Sequence, residues 1–200
     1  MDAESLESGN LVTEVMSIET PVGEMTAAAS DTGISFMLFS DSKTALPGHA
    51  LKTMTVRSIM TQNENIHLLT LKEQMEEYFE GIRKSFSVPL IFSGTEFQIK
   101  VWKELQRIQY GFTISYKEQA CTLNSPESVR AVANANGMNR LAILIPCHRV
   151  IGSNGRLTGY GGGLARKKWL LEHERKHSGK PVSLSLFDVK DINRVSGKHL

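Results

Sequence analysis

The chain has 200 residues, 40% of them hydrophobic and 7% aromatic, with a net charge of +2, which suits one large globular domain or two small ones. No run of about eighteen apolar residues occurs, and the first twenty residues are acidic without an apolar stretch, so neither a membrane helix nor a secretory signal is expected. Two cysteines, Cys121 and Cys147, are too few for a disulfide framework and have no CxxC spacing, which points to a reducing compartment and no zinc site.

The near-neutral total hides a division of charge. Residues 1–97 carry 6 Lys and Arg against 14 Asp and Glu, whereas residues 98–180 carry 14 against 5. An acidic half joined to a basic half suggests two modules, the basic one suited to a polyanion such as nucleic acid.

From Val15 to Phe39 short apolar alternations, broken by Pro21, Gly23 and Asp31-Thr32-Gly33, predict two or three antiparallel strands. Residues 40–63 have no clean period. Thr70 followed by Glu73 reads as a capping box, with Leu71, Met75, Tyr78, Phe79, Ile82 and Phe86 at helical spacing behind it. Pro89, Gly94 and the change of charge sign place a domain boundary near residue 90.

The second module opens on another capping box, Thr95 to Gln98, with Phe97, Val101, Leu105 and Ile108 as the expected buried stripe of a helix ending before Gly111. YKEQACTL and ESVRAVANANG, separated by Asn124-Ser125-Pro126, form a helix-turn-helix signal, with Pro126 in the first turn of the second helix. On that helix Val129, Val132 and Ala133 share one face, Glu127, Ala131 and Asn134 the other, with Arg130 at the edge. Periodicity alone favours a plain helical hairpin in a core over a DNA-reading one. Cys121, within the first of these helices, is expected to pack.

The run LAILI ends at Pro146 and is followed by Cys147-His148-Arg149, so a thiol emerges from a buried segment beside two groups able to stabilise its anion. The thiolate is the nucleophile, and a nearby cation or imidazole lowers its pKa. Adjacent side chains seldom point at one another, so spacing leaves open how His148 meets the sulfur.

Taken together, GTEFQIKVW, YGFTISY, RAVANANGMN, the pentapeptide from Pro146 to Val150, and GRLTGYGGG followed by KKWLLEHE resemble the O6-alkylguanine-DNA alkyltransferases, in order through residues 94–174. The resemblance implies an α+β chain: a small ribonuclease-H-like N-terminal domain with antiparallel strands (1–90), then a mostly helical, winged-helix-like domain carrying a helix-turn-helix (91–177), then an extension (178–200) beyond the resemblance. It implies a single-turnover repair reaction in which an alkyl group passes irreversibly from guanine O6 in duplex DNA to Cys147. Transfer from O4 of thymine is left open. His148 matches the water-linked base, Glu174 the acid completing the relay, and Asn139 the residue tying the recognition helix to the active-site turn. Tyr116 matches the tyrosine that assists nucleotide rotation and protonates the leaving guanine. Tyr160 matches the tyrosine of the loop closing the alkyl pocket, Arg130 the finger that fills the vacated stack, and Ala131 and Ala135 the small residues allowing close approach in the minor groove.

No cofactor and no metal are implied, since the N-terminal zinc ligands of some relatives are missing. The expected partner is duplex DNA, with no membrane, a monomeric state, and cooperative binding along DNA left open. The expected location is cytoplasmic, or nuclear in a eukaryote. Gln109 and Arg140 stand where many relatives have proline. Two competing readings are a non-enzymatic lesion-binding protein, which lacks the acceptor cysteine, and a cysteine hydrolase, which leaves the helix-turn-helix unexplained.

Overall fold

A computed structural model describes residues 14–42 and 65–179. Most of the aperiodic segment 40–63 and nearly all of the extension 178–200 lie outside the described residues.

Three strands, β1 (Glu14–Ile18), β2 (Met25–Ser30) and β3 (Gly33–Phe39), form one antiparallel sheet in the order β1-β2-β3. The β1–β2 turn closes where Gly23, at φ +112°, donates its N–H to the Thr20 carbonyl at 3.0 Å. A register shift between Ala28 and Ala29 breaks the β2–β3 ladder. The second edge of β3 is used twice by later chain. Ile34 donates to Pro89 O at 2.8 Å, and Met37 donates to Arg140 O at 2.7 Å. Residues 140–142 are therefore stitched directly onto the first sheet, which places the segment leading to Cys147 against it.

The helix α1 (Ile66–Phe79) buries Leu68, Leu71, Met75 and Tyr78. It begins before the expected Thr70 box: Asn65 is the cap, its side chain accepting from the N–H groups of His67 and Leu68 at 3.0 and 3.2 Å. Gly81, at φ +80°, follows its end, so Ile82 leaves the stripe and is 69% exposed. Phe86, though beyond the helix, returns to within 5.5 Å of the Tyr78 ring.

The second half is mostly helical. α2 (Glu96–Leu105) has the expected box, Thr95 N–H donating to Gln98 Oε1 at 2.9 Å and Gln98 N–H to Thr95 Oγ1 at 3.3 Å. Val101, Leu105 and Ile108 are buried, but Phe97 is partly exposed and Trp102 takes its place, donating Nε1–H to Ala135 O at 2.8 Å. β4 (Ile114–Ser115) pairs in parallel with β5 (Val150–Ile151). Helices α3 (Tyr116–Thr122) and α4 (Val129–Gly137) form the helix-turn-helix, locked by a buried reciprocal amide pair: Asn136 Nδ2 donates to Gln119 Oε1 at 2.7 Å, and Gln119 Nε2 to Asn136 Oδ1 at 3.3 Å. Pro126 lies in the turn before α4 instead of in its first turn, because Ser128 N–H closes back on Ser125 O and the helix starts at Val129. Cys121 is exposed, and Ala120 packs in its stead. The last helix is α5 (Leu164–His177).

Candidate active site

The run Leu141–Ile145 is wholly buried, as its composition demands, yet it folds as a tight turn and not as a strand. Ile145 N–H reaches Leu141 O at 2.8 Å, and Ile143 takes φ +70°, a left-handed conformation costly for a β-branched residue. The next residues, Cys147–Arg149, form a single 3₁₀ turn. Asn139 holds the two ends together: Oδ1 accepts from Leu141 N–H at 2.9 Å, while Nδ2 donates to Ile145 O at 2.8 Å and lies 3.3 Å from Cys147 Sγ.

Cys147 is 8% exposed. Burial pushes its thiol up, against the opposing pull of the Asn139 amide and of the Lys167 cation. Its resting form is the thiol.

Beside it lies a charged cluster centred on Glu174, which is wholly buried. Oε1 accepts from Tyr78 OH at 2.9 Å, Arg149 Nη2 at 2.9 Å and His148 Nε2 at 2.8 Å, and Oε2 accepts from Arg149 Nε at 2.9 Å and Gly111 N–H at 3.0 Å. Burial would raise this carboxyl, but the imidazole of His148 and the guanidinium of Arg149 hold it well below the usual carboxylate range. For His148, burial pushes the imidazole down and outweighs the pull of Glu174. His148 is therefore neutral, beside a carboxylate kept ionised by the Arg149 charge. An ionised carboxylate only accepts, so Nε2 carries the hydrogen. The lone pair falls on Nδ1, which is buried and has no protein partner among the described residues.

Lys167 is the residue that the sequence reading missed. It is fully buried and donates to Val150 O and Thr158 O at 2.6 Å each and to Gly159 O at 3.3 Å. Burial brings its ammonium down to about 8, against the attraction of Cys147. Its spacing offered a signal, since Lys167, Leu170, Leu171 and Glu174 occupy one face of α5.

Tyr116, at the start of α3, is buried, with its hydroxyl 3.1 Å from both Thr158 O and Gly159 O. Burial, then the charge of Cys147, pushes this phenol up to about 12. Tyr160 stands edge-on to His148, with ring centroids 6.4 Å apart, and its buried hydroxyl has no protein partner among the described residues. The structure thus gathers Cys147, His148, Glu174, Asn139, Tyr116 and Tyr160 around one centre. Arg130 and Ala131 lie apart from it, exposed on α4. Ala135 is a correction: at 2% exposure, with its carbonyl engaged by Trp102, it faces the core and offers no surface to a duplex. His173 and His177 do form a His-x-x-x-His spacing, but one nitrogen of each lies against a carbonyl, Tyr78 O at 2.8 Å and His173 O at 2.9 Å. Among the described residues no cluster of three or more His, Cys, Asp or Glu could hold a metal ion.

The family description "6-O-methylguanine DNA methyltransferase, ribonuclease-like domain" matches residues 15–92, and "6-O-methylguanine DNA methyltransferase, DNA binding domain" matches residues 96–176. A methylated-DNA–protein-cysteine methyltransferase of Mycolicibacterium paratuberculosis is 43% identical over 175 residues, 88% of this chain and 99% of the relative. The constitutive methylated-DNA–protein-cysteine methyltransferase of Bacillus subtilis is 42% identical over 158 residues, covering 78% and 92%. The crystal structure of Mycobacterium tuberculosis O6-methylguanine methyltransferase is similar at a TM-score of 0.72 with 37% identity, covering 88% of this chain and 100% of that one. The Mycobacterium tuberculosis OGT in complex with DNA has a TM-score of 0.69 with 36% identity, covering 88% and 99%.

Proposed function

The chain belongs to the 6-O-methylguanine DNA methyltransferase family, and from that premise we infer that Cys147 takes the alkyl group in a direct-reversal repair reaction on duplex DNA. Residues 1–90 form the supporting N-terminal domain and residues 91–177 the DNA-binding and alkyl-acceptor domain. The observation that carries the reading is the buried cluster of Cys147, neutral His148 and ionised Glu174.

A buried thiol held in its neutral form needs a base, and Nδ1 of His148, buried and without a protein partner among the described residues, is the lone pair that serves as that base on this reading. Sγ–H loses its proton to His148, directly or through one water, and Glu174 stabilises the imidazolium. Sγ then attacks the alkyl carbon in line, the carbon–O6 bond breaks, and its electron pair stays with guanine. Guanine takes up one proton, so in net the thiol proton ends on the base and the sulfur becomes a thioether. Tyr116 is placed to donate toward the departing guanine. Its raised pKa keeps the hydroxyl protonated until negative charge develops on the base. Asn139 acts by positioning, fixing Ile145 and the sulfur, and Tyr160 forms the wall of the alkyl pocket.

The target lies inside the helical stack, so the base must be rotated out at a cost of a few kcal/mol. Arg130, exposed on α4 beside the small exposed Ala131, is the side chain proposed to fill the space left behind. Phosphate contacts dominate such binding and make it salt-dependent and nearly indifferent to sequence. No described helix is long and apolar enough to cross a membrane, and we place the protein in the compartment that holds the DNA, bacterial cytoplasm or eukaryotic nucleus.

Water cannot hydrolyse a thioether as it does an acyl ester, so each molecule reacts once. Mass spectrometry after mixing with an excess of a duplex containing O6-methylguanine tests the reading: one methyl group per chain, located on Cys147, is expected. Sustained turnover, or modification at another residue, would overturn it.

A further inference from the structure

Arg166, in the first turn of α5, does not point at solvent. Nε donates to Val22 O at 2.6 Å, Nη1 and Nη2 grip Asp41 Oδ1 and Oδ2 at 2.7 and 3.0 Å, and Nη1 also lies 3.2 Å from Gly162 O. Its guanidinium carbon stands 4.3 Å from the centre of the Phe39 ring. Phe39 and Asp41 belong to the end of β3 and the turn after it, so one side chain clamps the first sheet to the loop before α5. Ser42 Oγ adds a bond to Gly161 O at 3.0 Å.

The same loop carries Tyr160. Phe39 is 1% exposed and meets Tyr160 edge-on, with centroids 6.5 Å apart at 70°. Behind it there is no room: a Cβ on Gly162 would come within 2.6 Å of Phe39 Cδ2. Gly161-Gly162-Gly163 has little conformational preference of its own, and Gly159 and Gly163 take φ +56° and +89°. A loop so rich in glycine is placed by what it leans on: Lys167 and Tyr116 hold its start at the Thr158 and Gly159 carbonyls, and beyond Tyr160 it leans on Phe39 and Arg166.

We propose that the end of β3, through Phe39 and the Arg166–Asp41 clamp, sets the position of Tyr160 and thereby the size of alkyl group admitted to Cys147. Phe39, Asp41 and Arg166 are positioning residues for a specificity wall, so the N-terminal sheet governs substrate range without touching the substrate. This rests on the function proposed above. Loosening the clamp lets the loop retreat, which relieves crowding for a bulky group and costs the methyl group its close fit.

The experiment compares single-turnover rates on one duplex carrying either O6-methylguanine or O6-benzylguanine, for the unsubstituted chain and for Asp41→Asn, Asp41→Glu and Phe39→Leu. Asp41 is largely exposed, so Asp41→Asn spares the core. The benzyl-to-methyl rate ratio is expected to rise about fivefold in Asp41→Asn, the upper range for an exposed ion pair. It should rise further in Phe39→Leu and return toward the original value in Asp41→Glu. A merely structural role would lower both rates together. Ratios unchanged in both Asp41→Asn and Phe39→Leu overturn this inference alone; no alkyl group on Cys147 of the unsubstituted chain overturns the proposed function and this inference with it.

Discussion

Glu174→Gln is the most informative single change, because all five hydrogen bonds to the carboxylate, from four residues, come from donors. An amide keeps one acceptor and turns its second position into a donor. Facing Arg149 Nε and Gly111 N–H, the new NH₂ meets two donors; flipped, it meets Tyr78, Arg149 and His148. In the flipped state His148 can accept on Nε2 only by moving its hydrogen to Nδ1, which removes the lone pair that the reaction needs. Either way the Arg149 cation is left buried without its counter-charge. Removing one partner of a buried pair costs about 3–5 kcal/mol, which at about 2–4 °C per kcal/mol lowers Tm by about 6–20 °C. The loss of base orientation should slow transfer about 100- to 10,000-fold. Single-turnover transfer from a methylated duplex, quenched and digested, measures the rate, and near-UV circular dichroism at the assay temperature shows that the variant is folded. A folded variant within about threefold of the original rate would refute the relay.

Three further outcomes are expected. Cys147→Ala should abolish transfer while leaving duplex affinity within about threefold, since the buried sulfur contributes little contact; a gel shift lost with the activity would count against the assignment. Arg130→Ala should slow repair in duplex DNA more than transfer from a free alkylguanine base, which needs no flipping, and equal losses would mean that Arg130 serves the fold or the chemistry. Lys167 titrates near 8 in the folded chain against 10.5 ordinarily, so above pH 8 the unfolded chain binds more protons and this group makes stability rise with pH, by about 3 kcal/mol in full up to pH 10.5. Denaturant unfolding at pH 8 and 9.5 should show this slope relative to Lys167→Met, and identical pH dependence in the two chains would show that Lys167 is not a buried amine.

The elements readable from the sequence were those whose signals are local. Thr95 and Gln98 satisfy each other within one turn, and the apolar run before Pro146 announces a buried segment, although Cys147 stays buried at its end instead of emerging from it. The start of α1 escaped because Asn65 follows a stretch with no period, and the more regular Thr70–Glu73 pair lies inside the helix. Ala135, which the resemblance pairs with Ala131 at the duplex, lies one turn further along α4, where the helix packs on Trp102 and buries Ala135 and Asn136. Lys167 was hidden for a different reason. In a run such as Arg166-Lys167-Lys168 every charge reads as solvated, and the carbonyls of Val150, Thr158 and Gly159, folded back from the segment just before α5, make its burial tolerable.

Those three carbonyls also bear on how a site that disfavours the thiolate can react at all. Burial holds Cys147 as a thiol, and Arg149 is committed to Glu174, so among the described residues Lys167 joins the imidazolium formed on His148 in balancing a developing sulfur charge. Thr158 and Gly159 belong to the loop of Tyr160, and both also receive the Tyr116 hydroxyl. When Tyr116 turns toward a departing guanine, these two oxygens lose a donor and rely more on Lys167, which favours its charged form as the thiolate appears. On the proposed roles, proton loss through His148 and charge balance through Lys167 are then linked by the same loop that closes over the alkyl group.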